Sequence, residues 1–205
     1  MVSYLVHNAT LLQEIREEVL PAVRQEQNQV DEVYLQEQCP KLNALVNETL
    51  RLTVTSSLPR TIVEPTEVGG KMLKPGNKVM VRFLAILPLF DYVLMKLQLP
   101  MRELHYDTEV WGDRPDLLKM DRFIDSKLSK SLSFRPWGGG HTLCPGRIFS
   151  RRSVNAFVSI LLAKHKITVE SSRFPKGDET RPSPGIVTLG RGEDLKLRLV
   201  PRGPA

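Results

Sequence analysis

Apolar residues recur at helical spacing in several stretches of this chain. Leu42, Leu45, Val46, Leu50 and Leu52 supply the apolar positions of a helix through residues 43–52. A second helix is predicted over Val6–Val23, with Glu14, Arg16, Glu17 and Glu18 on its polar side and Pro21 near its end. A third follows Cys144, where Phe149, Val154, Phe157, Val158 and Leu161 repeat along one stripe. Between these, β-branched residues at Pro59–Val63 suit a strand. Val68-Gly69-Gly70-Lys71 predicts a hairpin, and Lys74-Pro75-Gly76 a further turn. Ile167–Glu170 alternates like a strand, and 171–184 reads as loop. Ile186–Leu189 and Leu195–Leu199 predict a second hairpin around Gly190–Asp194. No internal repeat or low-complexity tract is present.

One run breaks the pattern. Val81–Gln98 is densely apolar, yet Pro88, Asp91 and Lys96 interrupt it, and it barely reaches the roughly 20 residues a membrane span needs.

Composition narrows the classes. The 205 residues, 41% of them hydrophobic, allow one domain with a sizeable core or two small ones. Only Cys39 and Cys144 are present, which argues against a disulfide scaffold, and Cys39 has no metal-ligand spacing. The net charge of +6 admits an acidic partner such as a reductase surface, a phospholipid face or nucleic acid. No basic stripe interleaved with aromatics favours nucleic acid, so none is expected. The opening residues carry no charged n-region and no cleavage site, so no signal peptide is expected.

Chemistry concentrates at Trp137-Gly138-Gly139-Gly140-His141-Thr142-Leu143-Cys144-Pro145-Gly146. Pro145 suits a first helical turn. A cysteine there would sit among unpaired N–H groups at the positive end of a helix dipole, which stabilises the thiolate. The glycines leave room for a large flat ligand against the backbone. Anionic sulfur with such room suggests an axial haem thiolate; a structural cysteine after a loop is the plainer alternative. Upstream, Glu48 and Arg51 lie three apart on one helix face and can pair, either at the surface or buried.

The cysteine loop resembles that of the cytochrome P450 family, the haem-thiolate monooxygenases. Trp137, Gly140, Cys144 and Gly146 hold the spaced positions of the family's loop; Trp137 stands for the usual Phe. The basic residue usual two places before the cysteine is Thr142 here, and His141 is the available substitute. Glu48-x-x-Arg51 resembles the family's second signature, and Asp121-Arg122-Phe123 its meander motif with two positions changed. The resemblance implies a triad of Glu48, Arg51 and Arg122. It also implies Cys144 as the iron ligand, with Trp137, Gly140, His141, Gly146 and Arg60 around the haem. Arg60 matches an arginine that often contacts a haem propionate; a solvated strand residue explains it equally. His105 reads as structural, because no second histidine has ligand spacing.

The implied fold is mainly α with small β elements, the C-terminal portion of the family's domain. Its regions are a helix pair at 3–52, a β region at 58–80, a meander at 100–136, the cysteine loop and helix at 137–165, and a C-terminal hairpin region at 167–200. The hairpin tip enters the substrate pocket in the family. Trp137 and His141 give the loop a flavour of the sterol and prostacyclin branch. The implied activity inserts one oxygen atom from O2 into a lipophilic substrate, with electrons from an NADPH-cytochrome reductase-type donor. The basic cluster Arg147, Arg151 and Arg152 lies where that donor docks in the family; a solvated helix face explains it almost as well. Full-length members sit at the endoplasmic reticulum membrane. The family's N-terminal half, including its oxygen-activating helix and anchor, has no counterpart here. A non-catalytic remnant that does not hold haem is therefore the alternative reading. Deleting Val81–Gln98 restores the family's continuity, so that block is expected to be a translated intron. This in turn suggests a eukaryotic, fungal gene.

Overall fold

The computed structural model describes residues 1–24, 29–58, 60–79, 99–124, 127–171, 173–178 and 185–203. Helices dominate, and each strand pair is small. The first predicted helix is two: α1 (Val2–Val6) and α2 (Ala9–Val19). Asn8 divides them, because its side chain accepts the Leu11 amide at 3.0 Å and caps α2. Pro21 lies in a 3-10 turn beyond α2. Two short strands, β1 (Val23–Arg24) and β2 (Gln29–Val30), then pair antiparallel. A six-residue helix not foreseen from the pattern, α3 (Glu32–Glu37), is capped by Asp31, which accepts the Tyr34 amide at 2.9 Å.

α4 (Pro40–Thr53) has Pro40 in its first turn, where no amide is needed. Its N-cap Cys39 offers no side-chain acceptor. Glu18 of α2 takes that role and accepts the Lys41 and Leu42 amides at 2.9 and 2.8 Å. One carboxylate thus caps α4 and fixes it against α2. Leu11, Ile15 and Val19 of α2 meet Leu35 of α3, Leu42 and Leu45 of α4, and Val158 and Leu162 of α7 (Arg147–Lys164) in the main core.

β5 (Thr66–Val68) and β6 (Lys71–Leu73) form the hairpin, with Gly69 and Gly70 both at positive φ, as a tight primed turn requires. The neighbouring pairings are offset. β4 (Arg60–Thr61) pairs with β7 (Lys78–Val79), Arg60 opposite Val79 and Thr61 opposite Lys78. β3 (Ser57–Leu58) pairs with β8 (Leu99–Pro100), Leu58 opposite Leu99 and Ser57 opposite Pro100. Extending the first register along the strand would place positions 81 and 82 there. The partners found are displaced by 18 positions, which is the length of the Val81–Gln98 run. That run itself lies outside the described residues.

α5 (Met101–Tyr106) and α6 (Thr108–Trp111) lead into a coiled stretch with 3-10 turns. Trp111, Phe123 and Phe134 form an aromatic cluster there, over Ala44 of α4. The C-terminal pairing corrects the predicted hairpin. β9 (His165–Val169) pairs antiparallel with β10 (Leu197–Pro201), whereas Ile186 bridges Val54 and Leu189 bridges Gly177. In this register Ile167 lies opposite Leu199 and Val169 opposite Leu197.

Candidate functional site

The loop that carries Cys144 begins with a turn, the Gly138 amide donating to the Arg135 carbonyl at 3.1 Å. Gly138 and Gly140 sit at φ 81° and 62°, where a side chain would be strained. A 3-10 turn over Gly140–Thr142 follows, and the Cys144 amide donates to the Trp137 carbonyl at 2.9 Å, which closes the loop. The Trp137 indole packs against Val46, Leu50, Val54 and Met101. Trp137 also lines two clefts, of about 800 and 530 Å³.

Helix α7 starts at Arg147 with Gly146 as its N-cap. Pro145 is therefore in a turn before the helix, not in its first turn. The Arg147 amide and guanidinium donate to the Cys144 carbonyl at 3.4 and 3.1 Å. Cys144 is half-buried, Gly140 and His141 are exposed, and Gly146 is half-buried. A side-chain carbon added at Gly146 would touch the Cys144 sulfur at 3.9 Å, and one at Gly140 would meet open space. Arg60 is described only through its backbone in β4, and its side chain, like that of Thr142, lies outside the described residues.

The donor set fits an iron porphyrin. A soft, accessible thiol stands beside an open glycine turn, and the apolar Leu143, Ile148 and Phe149, which flank it in the chain, are uncovered. Cys39 differs in every respect. It is fully buried, its thiol points to the Glu18 carbonyl at 3.4 Å, and burial pushes its pKa up to about 12. No group of three metal-ligating side chains occurs among the described residues.

The apolar stripe of α7 sorts unexpectedly. Val158 is buried, but Phe149 and Phe157 are 76% and 60% exposed, while Asn155 and Ser159 face inward. Periodicity identified the helix, not the side it buries. The three arginines of the basic cluster are each engaged. Arg147 holds the Cys144 carbonyl, Arg151 donates to the Asn47 side chain at 2.9 Å, and Arg152 pairs with Glu32 at 3.3 Å. Burial lowers the Arg151 pKa.

Beneath the loop, Glu48, Arg51 and Arg122 come together with little or no exposure. Glu48 accepts from Arg51 Nε and Nη2, both at 2.7 Å, from Arg122 Nη1 at 2.6 Å and from the Lys119 amide at 3.0 Å. The remaining guanidinium donors go to carbonyls, Arg51 to His105 and Pro115 at 2.5 and 2.7 Å, and Arg122 to Trp111 and Leu117 at 3.0 and 2.8 Å. Arg51 also lies over the Trp111 and Tyr106 rings. The part played by His105 and these backbone acceptors was not foreseen from the sequence. No side-chain pattern marks a carbonyl.

The sequence profile of the family described as Cytochrome P450 matches residues 1–88 and 95–197, and its break falls inside the Val81–Gln98 run. Human 7-alpha-hydroxycholest-4-en-3-one 12-alpha-hydroxylase is 26% identical over 95% of this chain and 40% of its own length. Tabersonine 16-hydroxylase 2 of Catharanthus roseus is 29% identical over 94% of the chain and 35% of its own. A Penicillium decumbens monooxygenase also matches, so kinship spans animals, plants and fungi and singles out no fungal source. A zebra fish cytochrome P450 structure with progesterone superposes with a TM-score of 0.70 at 22% identity, over 98% of this chain and 40% of that one. The chain thus spans less than half the length of the relatives named here.

Proposed function

Because the chain belongs to the cytochrome P450 family, we propose that it is the haem-binding part of a haem-thiolate monooxygenase, with Cys144 as the iron ligand. The observation that carries this reading is the accessible Cys144 at the end of a glycine turn, tied to the Trp137 carbonyl and followed by an 18-residue helix. Trp137, Gly140, His141 and Gly146 would shape the face on which the porphyrin lies, and Arg60 and His141 would meet its propionates. When bound, the haem would supply oxygen binding and activation, with sulfur donation favouring O–O cleavage. The chain's own residues hold and orient. The Glu48–Arg51–Arg122 network fixes the coiled stretch that leads into the loop, and the Trp137 carbonyl anchors the backbone of Cys144.

In the intact enzyme a substrate C–H would become C–OH. The second oxygen atom would leave as water, using a pair of electrons from an NADPH-dependent reductase and two protons. The substrate is a lipophilic small molecule; the human relative is named for 7-alpha-hydroxycholest-4-en-3-one and the Catharanthus one for tabersonine. The whole protein would act at the endoplasmic reticulum membrane. No helix among the described residues is long and apolar enough to cross a membrane.

A second reading has its own observation. The uncovered Phe157 suits a chain that, alone, is a remnant unable to hold haem. The reduced carbon-monoxide difference spectrum of the expressed chain after haem addition separates the two. A red-shifted Soret band of the thiolate type supports the monooxygenase reading. A folded chain without that band supports the remnant.

A further inference from the structure

We propose that His105 is the positioning residue of the cysteine loop. The proposal deepens the reading above, in which that loop presents the iron ligand.

His105 is fully buried near the end of α5 and makes two separate connections. Its carbonyl accepts Arg51 Nη1 at 2.5 Å, which ties it to the Glu48 network. Its ring Nε2 accepts the Arg135 amide at 3.0 Å. Arg135 is where the loop begins, since its own carbonyl accepts the Gly138 amide and closes the first turn. One residue therefore joins the ion network to the backbone from which Trp137 and Cys144 hang.

The chemistry of the ring indicates a positional role. An Nε2 that accepts must be unprotonated, so the proton of the neutral ring is on Nδ1. Nδ1 is buried and has no hydrogen-bond partner among the described residues. A buried orphan donor is unfavourable, and an apolar side chain of similar size would avoid it. The acceptor at Nε2 is what a leucine or phenylalanine could not provide. The groups packed on the ring preserve that acceptor. Phe134 lies 5.7 Å away between ring centres, and Arg51 brings a positive charge that disfavours a second one. Burial and that charge lower the His105 pKa to about 4, so the ring stays neutral at ordinary pH. The Arg135 guanidinium turns to the Leu132 carbonyl and makes no claim on the ring.

The test compares His105→Gln with His105→Asn in the full chain, with His105→Leu as a third variant. Gln Oε1 reaches the position of Nε2, and Asn Oδ1 reaches only that of Nδ1. Amide hydrogen exchange is read by NMR at Arg135 and Cys144, with Leu45 and Leu162 of the core as internal reference. In the Asn and Leu variants, exchange at Arg135 and Cys144 should rise about tenfold, the factor for one net hydrogen bond, while the core amides stay protected. The Gln variant should return both loop amides to the parent rate. Unchanged loop exchange in the Asn variant overturns the proposal. So does acceleration of loop and core amides by one common factor, or an Asn variant that matches Gln. If the Leu variant does not fold, the Gln–Asn contrast decides alone. The measurement needs no haem, so a chain that binds none refutes the proposed function and leaves this result to stand separately.

Discussion

Replacing Glu48 with Gln removes the single negative charge shared by two buried guanidiniums. The carboxylate receives four hydrogen bonds of 2.6–3.0 Å, three of them from Arg51 and Arg122. Both arginines already spend other donors on carbonyls, and neither can turn to water. Breaking a buried ion pair from one side costs about 3–5 kcal/mol, against under about 1 for an exposed pair. A domain of this kind has about 5–15 kcal/mol in all. With a urea m-value of about 2–3 kcal/mol/M, the midpoint should fall by roughly 1–2.5 M. Arg122→Ala keeps the neutral Glu48–Arg51 couple but also removes the donor to the Trp111 and Leu117 carbonyls, so it should cost a comparable amount. Asp116→Asn, at the exposed Arg114–Asp116 pair, should change little. Urea unfolding followed by far-UV circular dichroism measures all three. A Glu48→Gln loss below about 0.5 kcal/mol would refute the charge-balance argument.

Deleting Val81–Gln98 should merge the two offset ladders into one register and remove a loop-closure cost of roughly 2–3 kcal/mol, so the urea midpoint and the solubility should both rise; a less stable or less soluble deletion variant contradicts this, and mature message that keeps the block in frame contradicts its origin as an intron. Acid should destabilise the chain through His105, whose folded pKa of about 4 lies below its unfolded value. The unfolded state takes up the proton first, so this contribution of about 3 kcal/mol is complete above pH 6.5 and is lost as pH falls toward 4. His105→Gln should flatten that part of the profile, and an unaltered slope contradicts the assignment.

Much of the local structure was legible from residue types. Gly69 and Gly70 announced their turn because only a primed turn suits them, and the leucines of α4 marked a helix whose inward side they are. Longer-range choices were not legible. The helix predicted over Val6–Val23 ran through Asn8, yet the Asn8 side chain accepts a backbone amide and so ends one helix to start another. Leu195–Leu199 had a nearby strand candidate, but the pairing goes to β9, a choice made by cross-strand packing across a long connection. Glu48 and Arg51 could be paired from their spacing, whereas the carbonyls that complete the network depend on where the coiled stretch runs. Helix spacing marked α7, while its exposed phenylalanines and buried Asn155 and Ser159 depend on the neighbouring elements.

Haem ligation by Cys144 means an iron–sulfur bond to one of two cysteines. Resonance Raman spectroscopy of the haem-loaded chain, with and without heavy-sulfur cysteine, measures that bond directly. The Cys39→Ser variant should show an isotope-sensitive iron–sulfur stretch, and Cys144→Ser should lack it. A stretch that persists in Cys144→Ser, or haem bound to the Cys39→Ser chain with no isotope-sensitive band, would contradict ligation by Cys144.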